Sequence, residues 1–318
     1  IEVDVRNVTK KYDNLLAVDN ISFTIETGKI YGFLGPNGAG KSTTMNIITG
    51  CLAATQGQVF IKGHDIYEAH KQAKRHIGYL PERPPLYHDL SPKEYLLFVS
   101  EIKKIPRQQR ADAIEDVMAR TGILDIADRQ IRQLSKGYCQ RVGIAQALLG
   151  YPEVIIFDEP TVGLDPKQII EIRELIRELG KEHTVLLSSH ILSEISELCD
   201  EVLIISKGRL VARDTPENLA AVLDSGNRLF MNVEGDASKV RTVLQGIGAL
   251  SRFTVKQADN GEVSIQANMT QDARNAIFYA LADAKLPIHE MREQKMTLEE
   301  IFLEYTGHGK RGAHGSDL

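Results

Sequence analysis

Only three cysteines, Cys51, Cys139 and Cys199, stand in 318 residues. They are far apart and form no C-x-x-C pair, so neither a disulfide framework nor a zinc site is expected, and a reducing compartment fits. No apolar run reaches the length of a bilayer span, and the first residues lack the make-up of a signal peptide. Any membrane role therefore calls for a partner. Basic residues are not in excess: 38 Lys and Arg stand against 43 Asp and Glu, for a net charge of −5. A phosphate backbone wants a basic face, so no nucleic-acid partner is expected. Internal repeats and long heptad segments are absent as well. What remains is ordinary for a globular chain, with 42% hydrophobic and 25% charged residues. At this length two domains are expected, one large enough for a substantial core.

The most specific stretch is Gly35-Pro36-Asn37-Gly38-Ala39-Gly40-Lys41-Ser42-Thr43, which fits G-x-x-x-x-G-K-[ST], the phosphate-binding P-loop. It follows the apolar run Ile30-Tyr31-Gly32-Phe33-Leu34, which suits a buried strand, and precedes Thr44-Met45-Asn46-Ile47-Ile48, which suits a first helical turn. Glycines let the backbone curl and aim N–H groups at phosphate oxygens, and the helix N-terminus adds partial positive charge. In such a loop Lys41 reaches the β- and γ-phosphates and the Ser42 hydroxyl ligates Mg²⁺.

Elsewhere strands and helices alternate, the pattern of an α/β fold. A helical block over about residues 88–150 interrupts it. Its first helix opens on Ser91-Pro92-Lys93-Glu94 as a capping box, with Tyr95, Leu96, Phe98, Val99 and Ile102 predicted inward. Its second follows Pro106, with Ala111, Ile114, Val117 and Met118 predicted inward and Gly122 as C-cap. Its third runs from about Gly137 to Leu149. Residues 1–223 make the first domain, including a last helix from Thr215-Pro216-Glu217 to about Leu223, and Asp224-Ser225-Gly226-Asn227 reads as a linker. Residues 228–306 follow in the order β-α-β-β-α-β, a ferredoxin-like α+β unit, with a capping box at Thr297-Leu298-Glu299-Glu300. Its helices are predicted from Ser238 and from Gln271, with a turn at Asn260-Gly261. The tail, residues 307–318, is rich in Gly, His and Lys and is predicted disordered.

Asp158 and Glu159 end the apolar strand Val154-Ile155-Ile156-Phe157. Carboxylates there are either capped, as in a structural salt bridge, or bind something. Beside a P-loop strand, Asp158 is placed to hold Mg²⁺ through water and Glu159 to polarise an attacking water. Ser135 and Gly137 open the third helix of the block, as a simple N-cap or a second anion site. Tyr12 reads as a half-buried packing residue or, in a nucleotide-binding chain, as a platform for a base.

Taken in order, GPNGAGKST, LSKGY, VIIFDEP, GLDP and SSH resemble the nucleotide-binding subunit of an ATP-binding cassette (ABC) transporter, over about residues 1–220. The resemblance implies a P-loop cassette with a mixed core sheet, an antiparallel β subdomain and a helical subdomain. It implies ATP and Mg²⁺ as cofactors and ATP hydrolysis as the activity. By position, Tyr12 matches the adenine-stacking aromatic, Lys41 and Ser42 the P-loop pair, Asp158 the Mg²⁺ aspartate and Glu159 the catalytic base. Asp165 matches the residue that crosses the dimer, and His190 the switch histidine. Two cassettes, as a homodimer or pseudo-dimer, sandwich two ATPs, with Ser135 and Gly137 touching the γ-phosphate held by the opposite P-loop. The partner implied is an integral membrane permease, and the place is the cytoplasmic face of the cell membrane.

Two positions depart from the family pattern. LSKGY stands where LSGGQ is usual, which leaves Lys136 and Tyr138 without an assigned role. Glu82 stands where a Mg²⁺-binding glutamine is usual, and it either binds the cation, turns to the membrane partner or is a solvated loop charge. Leu80-Pro81-Glu82, LSKG and the ending Thr297 to Leu303 resemble the branch of ABC-2-type exporter ATPases that includes gliding-motility-type proteins. A non-transport ABC ATPase acting on ribosomes normally carries two cassettes, and this chain has one P-loop. A nucleotide-dependent regulator without turnover has no need of both Glu159 and His190.

Overall fold

The computed structural model describes residues 1–219, 228–258, 261–269 and 272–294. The chain divides into two compact units, Ile1–Pro216 and Glu217–Leu318. In order, the first unit runs β1 (Val3–Tyr12), β2 (Leu15–Ile25), β3 (Ile30–Leu34), α1 (Lys41–Ile48), β4 (Gln56–Ile61), β5 (His64–Asp65), α2 (His70–Ala73) and β6 (Ile77–Leu80). It continues with α3 (Pro92–Ile102), α4 (Arg110–Thr121), α5 (Lys136–Leu148), β7 (Val154–Asp158), α6 (Pro166–Leu179), β8 (Thr184–Ser189), α7 (Leu192–Leu198), β9 (Glu201–Ser206) and β10 (Arg209–Asp214).

Six of these strands form one sheet in the order β10-β9-β3-β8-β7-β6. All neighbours are parallel except β10 on β9 at the edge. Every residue of β3, β7 and β8 is buried. Strands covered on both faces need no polar alternation, which is why the sequence shows unbroken apolar runs there. Because β3, β8 and β7 are adjacent and parallel, their C-terminal ends emerge on one edge, where open α/β sheets place ligands. The loop 35–40, the pair Asp158–Glu159 and the pair Ser189–His190 all lie at those ends. A four-stranded antiparallel sheet, β2-β1-β4-β5, shares its core with the first: Val3, Val5 and Ile25 belong to one apolar cluster with Phe33, Ile156 and Leu186.

The helical block is α3 to α5. Ser91 caps α3 as predicted: its Oγ accepts from Glu94 N at 3.3 Å while Glu94 Oε2 accepts from Ser91 N at 2.8 Å. Gly122 closes α4 in the left-handed region, at φ 64°. The inward stripes are narrower than the sequence predicts. Phe98 and Ile102 are 39% and 62% exposed, and the buried residues of α3 are Pro92, Tyr95, Leu96, Val99 and Ser100. Ala111 is likewise exposed, and Ala113 takes the inward place. The reason is angular: Tyr95, Leu96 and Val99 already fill the arc that one neighbouring layer covers. The end of α5 is closed by Lys103, whose Nζ donates to the carbonyls of Gln146, Ala147 and Leu149 at 2.8, 3.2 and 2.7 Å. Burial of the ammonium pushes it down, to about 8.

The second unit contains β11 (Arg228–Glu234), α8 (Ala237–Gln245), β12 (Leu250–Gln257), β13 (Glu262–Met269), α9 (Arg274–Asp283) and β14 (Ile288–Gln294). Its sheet order, β12-β13-β11-β14, is antiparallel throughout and gives the ferredoxin-like arrangement. Val240 and Leu244 of α8 and Ile277 and Leu281 of α9 pack with Leu229, Met231, Val263 and Ile265 in a separate core. Asp236 caps α8, which begins one residue before the predicted start, by accepting from Ser238 N and Lys239 N at 2.9 and 3.2 Å. The linker 224–227, the helix beyond residue 219, Asn260, Gln271, the capping box 297–300 and the tail 307–318 lie outside the described residues.

Candidate active site

The loop between β3 and α1 is shaped by its glycines. Gly40 sits at φ 105°, and a Cβ there would stand 2.6 Å from the Ala17 carbonyl oxygen. The first turn of α1 has no side-chain cap and no acidic residue. Its N–H groups therefore face outward without an internal partner, the usual basis of anion binding.

Lys41 is 5% exposed, and its Nζ donates to the carbonyls of Gly35 at 2.8 Å and Pro36 at 3.3 Å. The same ammonium lies 3.1 Å from Glu159 Oε1. The other Glu159 oxygen, Oε2, meets His190 Nδ1 at 2.9 Å. Glu159 is itself at φ 50°, a left-handed conformation unusual for a side-chain-bearing residue, immediately after β7. That turn directs its carboxylate between the lysine that opens α1 and the histidine that follows β8.

Asp158, one residue earlier, has different partners. Its Oδ1 accepts from Ser188 Oγ at 2.6 Å and from Ser42 Oγ at 3.2 Å. Burial holds its carboxyl above the usual range. The two hydroxyl hydrogen bonds oppose that, and the charges of Glu159 and Glu82 add to it. Such a carboxyl gains from a cation beside it. Ser188 was not singled out by sequence reasoning, yet it serves both acidic residues, since its Oγ also accepts from Glu159 N at 2.9 Å. The only sequence trace is a hydroxyl pair ending an otherwise apolar strand.

A cleft of about 750 Å³ brings together Tyr12, Lys41, Ser42, Glu82, Glu159 and His190, with Asn37, Gly38, Gly40 and Thr43 along its floor. Gly35 and Ala39 underlie the loop, and Ala39 is buried. Tyr12 is 42% exposed at the outer end beside Leu15 and Leu16, with Lys10 Nζ 5.1 Å from its ring centre. Glu82 is an exposed residue on the rim. Among the described residues no group of three or more His, Cys, Asp or Glu is arranged to hold a metal ion. A site for Mg²⁺ therefore rests on the Ser42 hydroxyl and the Asp158 carboxylate, hard oxygen donors already side by side, and these fit that cation.

Ser135, Gly137 and Asp165 are not in this cleft. They line a separate recess of about 380 Å³ with Tyr138, Arg141 and Gln168. Ser135 Oγ caps α5 by accepting from Tyr138 N at 3.4 Å, and Asp165 caps α6 by accepting from Gln168 N at 2.9 Å. Gly137 is tucked under Gln168, so a Cβ would come within 2.7 Å of that side chain. Each of the two unusual residues lies against a nearby part of the chain. Tyr138 donates its hydroxyl to Asp125 Oδ2 at 3.1 Å, and Lys136 Nζ lies 2.0 Å from where a Cβ on Gly163 would stand.

Residues 18–162 match the family model of the ABC transporter, and residues 224–306 match the C-terminal domain of DrrA1-3-like ATP-binding proteins. An uncharacterized ABC transporter ATP-binding protein, YhcH of Bacillus subtilis (strain 168), is 35% identical over 97% of this chain and 97% of its own. The bacitracin transport ATP-binding protein BcrA of Bacillus licheniformis is 33% identical over 98% of this chain and 99% of its own. Among solved structures, cbiO1 from Clostridium perfringens, part of the ABC transporter complex cbiONQ, superposes with a TM-score of 0.63 at 28% identity. That match covers 69% of this chain and 90% of cbiO1. The ATP-binding cassette MJ0796, a dimer bound to ADP and phosphate in a post-hydrolysis state, gives 0.62 at 26% identity, covering 67% and 98%.

Proposed function

The chain belongs to the ATP-binding cassette family as the ATP-hydrolysing subunit of a transporter, and from that premise we propose that it drives export. Two cassettes close over ATP and transmit that closure to a separate membrane-spanning permease of the ABC-2 type. The observation that supports it most is the convergence on one edge of the parallel sheet of Lys41, 3.1 Å from Glu159, with the Ser42–Asp158 pair at 3.2 Å and the Glu159–His190 pair at 2.9 Å. Transport is favoured over a non-transport ABC ATPase or a regulator by a likeness to BcrA that runs through the second unit as well. The relatives named above do not show the gliding-motility likeness. No helix among the described residues is long and apolar enough to cross a membrane. The subunit then sits on the cytoplasmic face of the cell membrane.

Within the site, Lys41 and the N–H groups of the loop 35–43 take the β- and γ-phosphates. Ser42 and Asp158 hold Mg²⁺, which neutralises charge on the phosphate oxygens when bound. Glu159 is the general base toward water, and His190 holds that water and the γ-phosphate. Tyr12 offers a face to the adenine. Ser135, Gly137 and Asp165 belong to the surface that meets the partner cassette, which is why they form a recess of their own.

The deciding experiment is ATPase activity of the chain with and without its co-purified membrane protein. Stimulation by the partner is expected, and a rate indifferent to any membrane protein that co-purifies would end the transport reading. The same assay, run against Mg²⁺ concentration, addresses Glu82. Its charge already acts on Asp158, so Glu82→Ala is expected to shift the Mg²⁺ midpoint by about two- to tenfold and weaken partner stimulation, with Glu82→Gln between. Superimposable curves would leave Glu82 as a loop charge.

We extend the proposal to the domain boundaries, with residues 1–223 as the cassette, 224–227 as linker and 228–306 as an accessory domain. Each unit has an apolar cluster of its own among the described residues. A chain ending at residue 223 is expected to melt cooperatively and to bind ATP. Insoluble protein, or melting without a transition, would show that the cassette needs the second unit.

A further inference from the structure

Glu194 is a carboxylate with 4% exposure on the short helix α7, and it does not line the ATP cleft. A buried carboxylate is costly unless several donors meet it. Here they come from three elements. Its Oε2 accepts from Thr161 Oγ1 at 2.9 Å and from Ser189 Oγ at 3.0 Å, and its Oε1 lies 3.4 Å from Arg173 Nη2 of α6, the helix that Asp165 caps.

The two hydroxyls belong to the turns that carry the reactive pair. Thr161 follows Glu159 by two residues, and its carbonyl accepts from Leu164 N at 3.2 Å, while Val162 N donates to the Glu159 carbonyl at 3.2 Å. Ser189 precedes His190, and its Oγ also accepts from Ile191 N at 3.0 Å, so the hydroxyl sets the backbone on both sides of the histidine. One oxygen of Glu194 thus ties together the turn that aims Glu159 and the turn that aims His190. These are the residues whose side chains meet at 2.9 Å in the cleft.

We infer that Glu194 is a positioning residue for hydrolysis, holding the Glu159 and His190 turns in register through Thr161 and Ser189. The inference rests on the proposed roles of Glu159 and His190. A misplacement of about 1 Å at such a pair slows chemistry much more than it weakens nucleotide binding.

The test uses the full chain and compares kcat, KM and affinity for a fluorescent ATP analogue in E194A, E194Q, T161V and S189A, each alone and with H190A. For E194A a loss in kcat of about tenfold or more is expected, with analogue affinity within about twofold of wild type. E194Q keeps an oxygen that accepts both hydroxyls and is expected to retain most of the rate. T161V and S189A each remove one arm and are expected to lose about threefold or more, which decides the matter if E194A does not fold. Because Glu194 keeps Glu159 in register with His190, E194A is expected to cost less in the H190A background than in wild type. Wild-type kcat in E194A, or in both T161V and S189A, overturns the inference, as does a loss in E194A that multiplies fully with that of H190A. A kcat unchanged by H190A alone overturns instead the role given to His190, and this inference with it.

Discussion

Replacing Glu159 with glutamine is expected to lower ATP turnover by about 10²- to 10⁴-fold while MgATP binding persists. Glutamine keeps the shape and loses the group that accepts a proton from water. The geometry sharpens this. Glu159 is 7% exposed, with Lys41 on Oε1 at 3.1 Å and His190 on Oε2 at 2.9 Å. A glutamine offers one acceptor oxygen and one NH₂ group, so it satisfies the lysine or the histidine but meets the other as a donor. With the oxygen turned to Lys41, the NH₂ suits a neutral His190 that accepts at Nδ1. The ammonium is then held by a neutral oxygen rather than a carboxylate and is freer to turn to phosphate. The variant is therefore expected to bind MgATP at least as tightly as wild type and to accumulate as a closed dimer. Phosphate release and light scattering with MgATP measure the two effects. Turnover near wild type would remove Glu159 from the role of base, and a mass that stays monomeric with MgATP would count against closure by the cassette alone.

How much of this site the sequence disclosed depends on whether local chain order places the residue. Lys41, Ser42 and the glycines before them are legible because one loop of nine residues carries phosphate-binding backbone and side chains together. Asp158, Glu159 and His190 are legible because each ends an apolar run, and a charge at such an end needs a reason. The capping box at Ser91 and the ferredoxin-like order follow from local rules and from alternation, and both stand as read. Ser188 and Glu194 were not visible in this way. Ser188 meets Asp158 across 30 residues and Glu194 meets Thr161 across 33, and a hydroxyl in a strand or a glutamate in a helix has no pattern until the sheet order is known. Helical spacing alone puts Phe98, Ile102 and Ala111 inward. Spacing gives the stripe, but the neighbours set its width, and here they cover only part of it. Lys136 and Tyr138 differ from the family pattern, yet each is accommodated locally, because Gly163 leaves room for one and Asp125 accepts from the other.

Removing Lys41 is expected to abolish ATP binding and also to destabilise the cassette, and the two losses have separate causes. Lys41 and Glu159 form an ion pair whose side chains are 5% and 8% exposed, so solvent screens it little. The ammonium also satisfies the carbonyls of Gly35 and Pro36. Lys41→Ala leaves Glu159 as a buried charge with His190 as its remaining partner, and breaking one side of such a pair costs about 3–5 kcal/mol. If the uncompensated carboxylate causes that loss, neutralising it must restore part of the stability. The double variant Lys41→Ala, Glu159→Gln is therefore expected to be more stable than Lys41→Ala by about 1–3 kcal/mol, although neither hydrolyses ATP. Urea unfolding without nucleotide compares wild type, both single variants and the double variant. Equal midpoints for Lys41→Ala and the double variant would show that the loss comes from the freed carbonyls and not from the charge. If wild type and Lys41→Ala unfold together, the pair contributes nothing to stability and the lysine is held in place for the phosphates alone. With the expected rescue, the same pair has a second consequence. Phosphate must draw the ammonium away from Glu159, so binding ATP releases the carboxylate that the proposed hydrolysis then uses as its base.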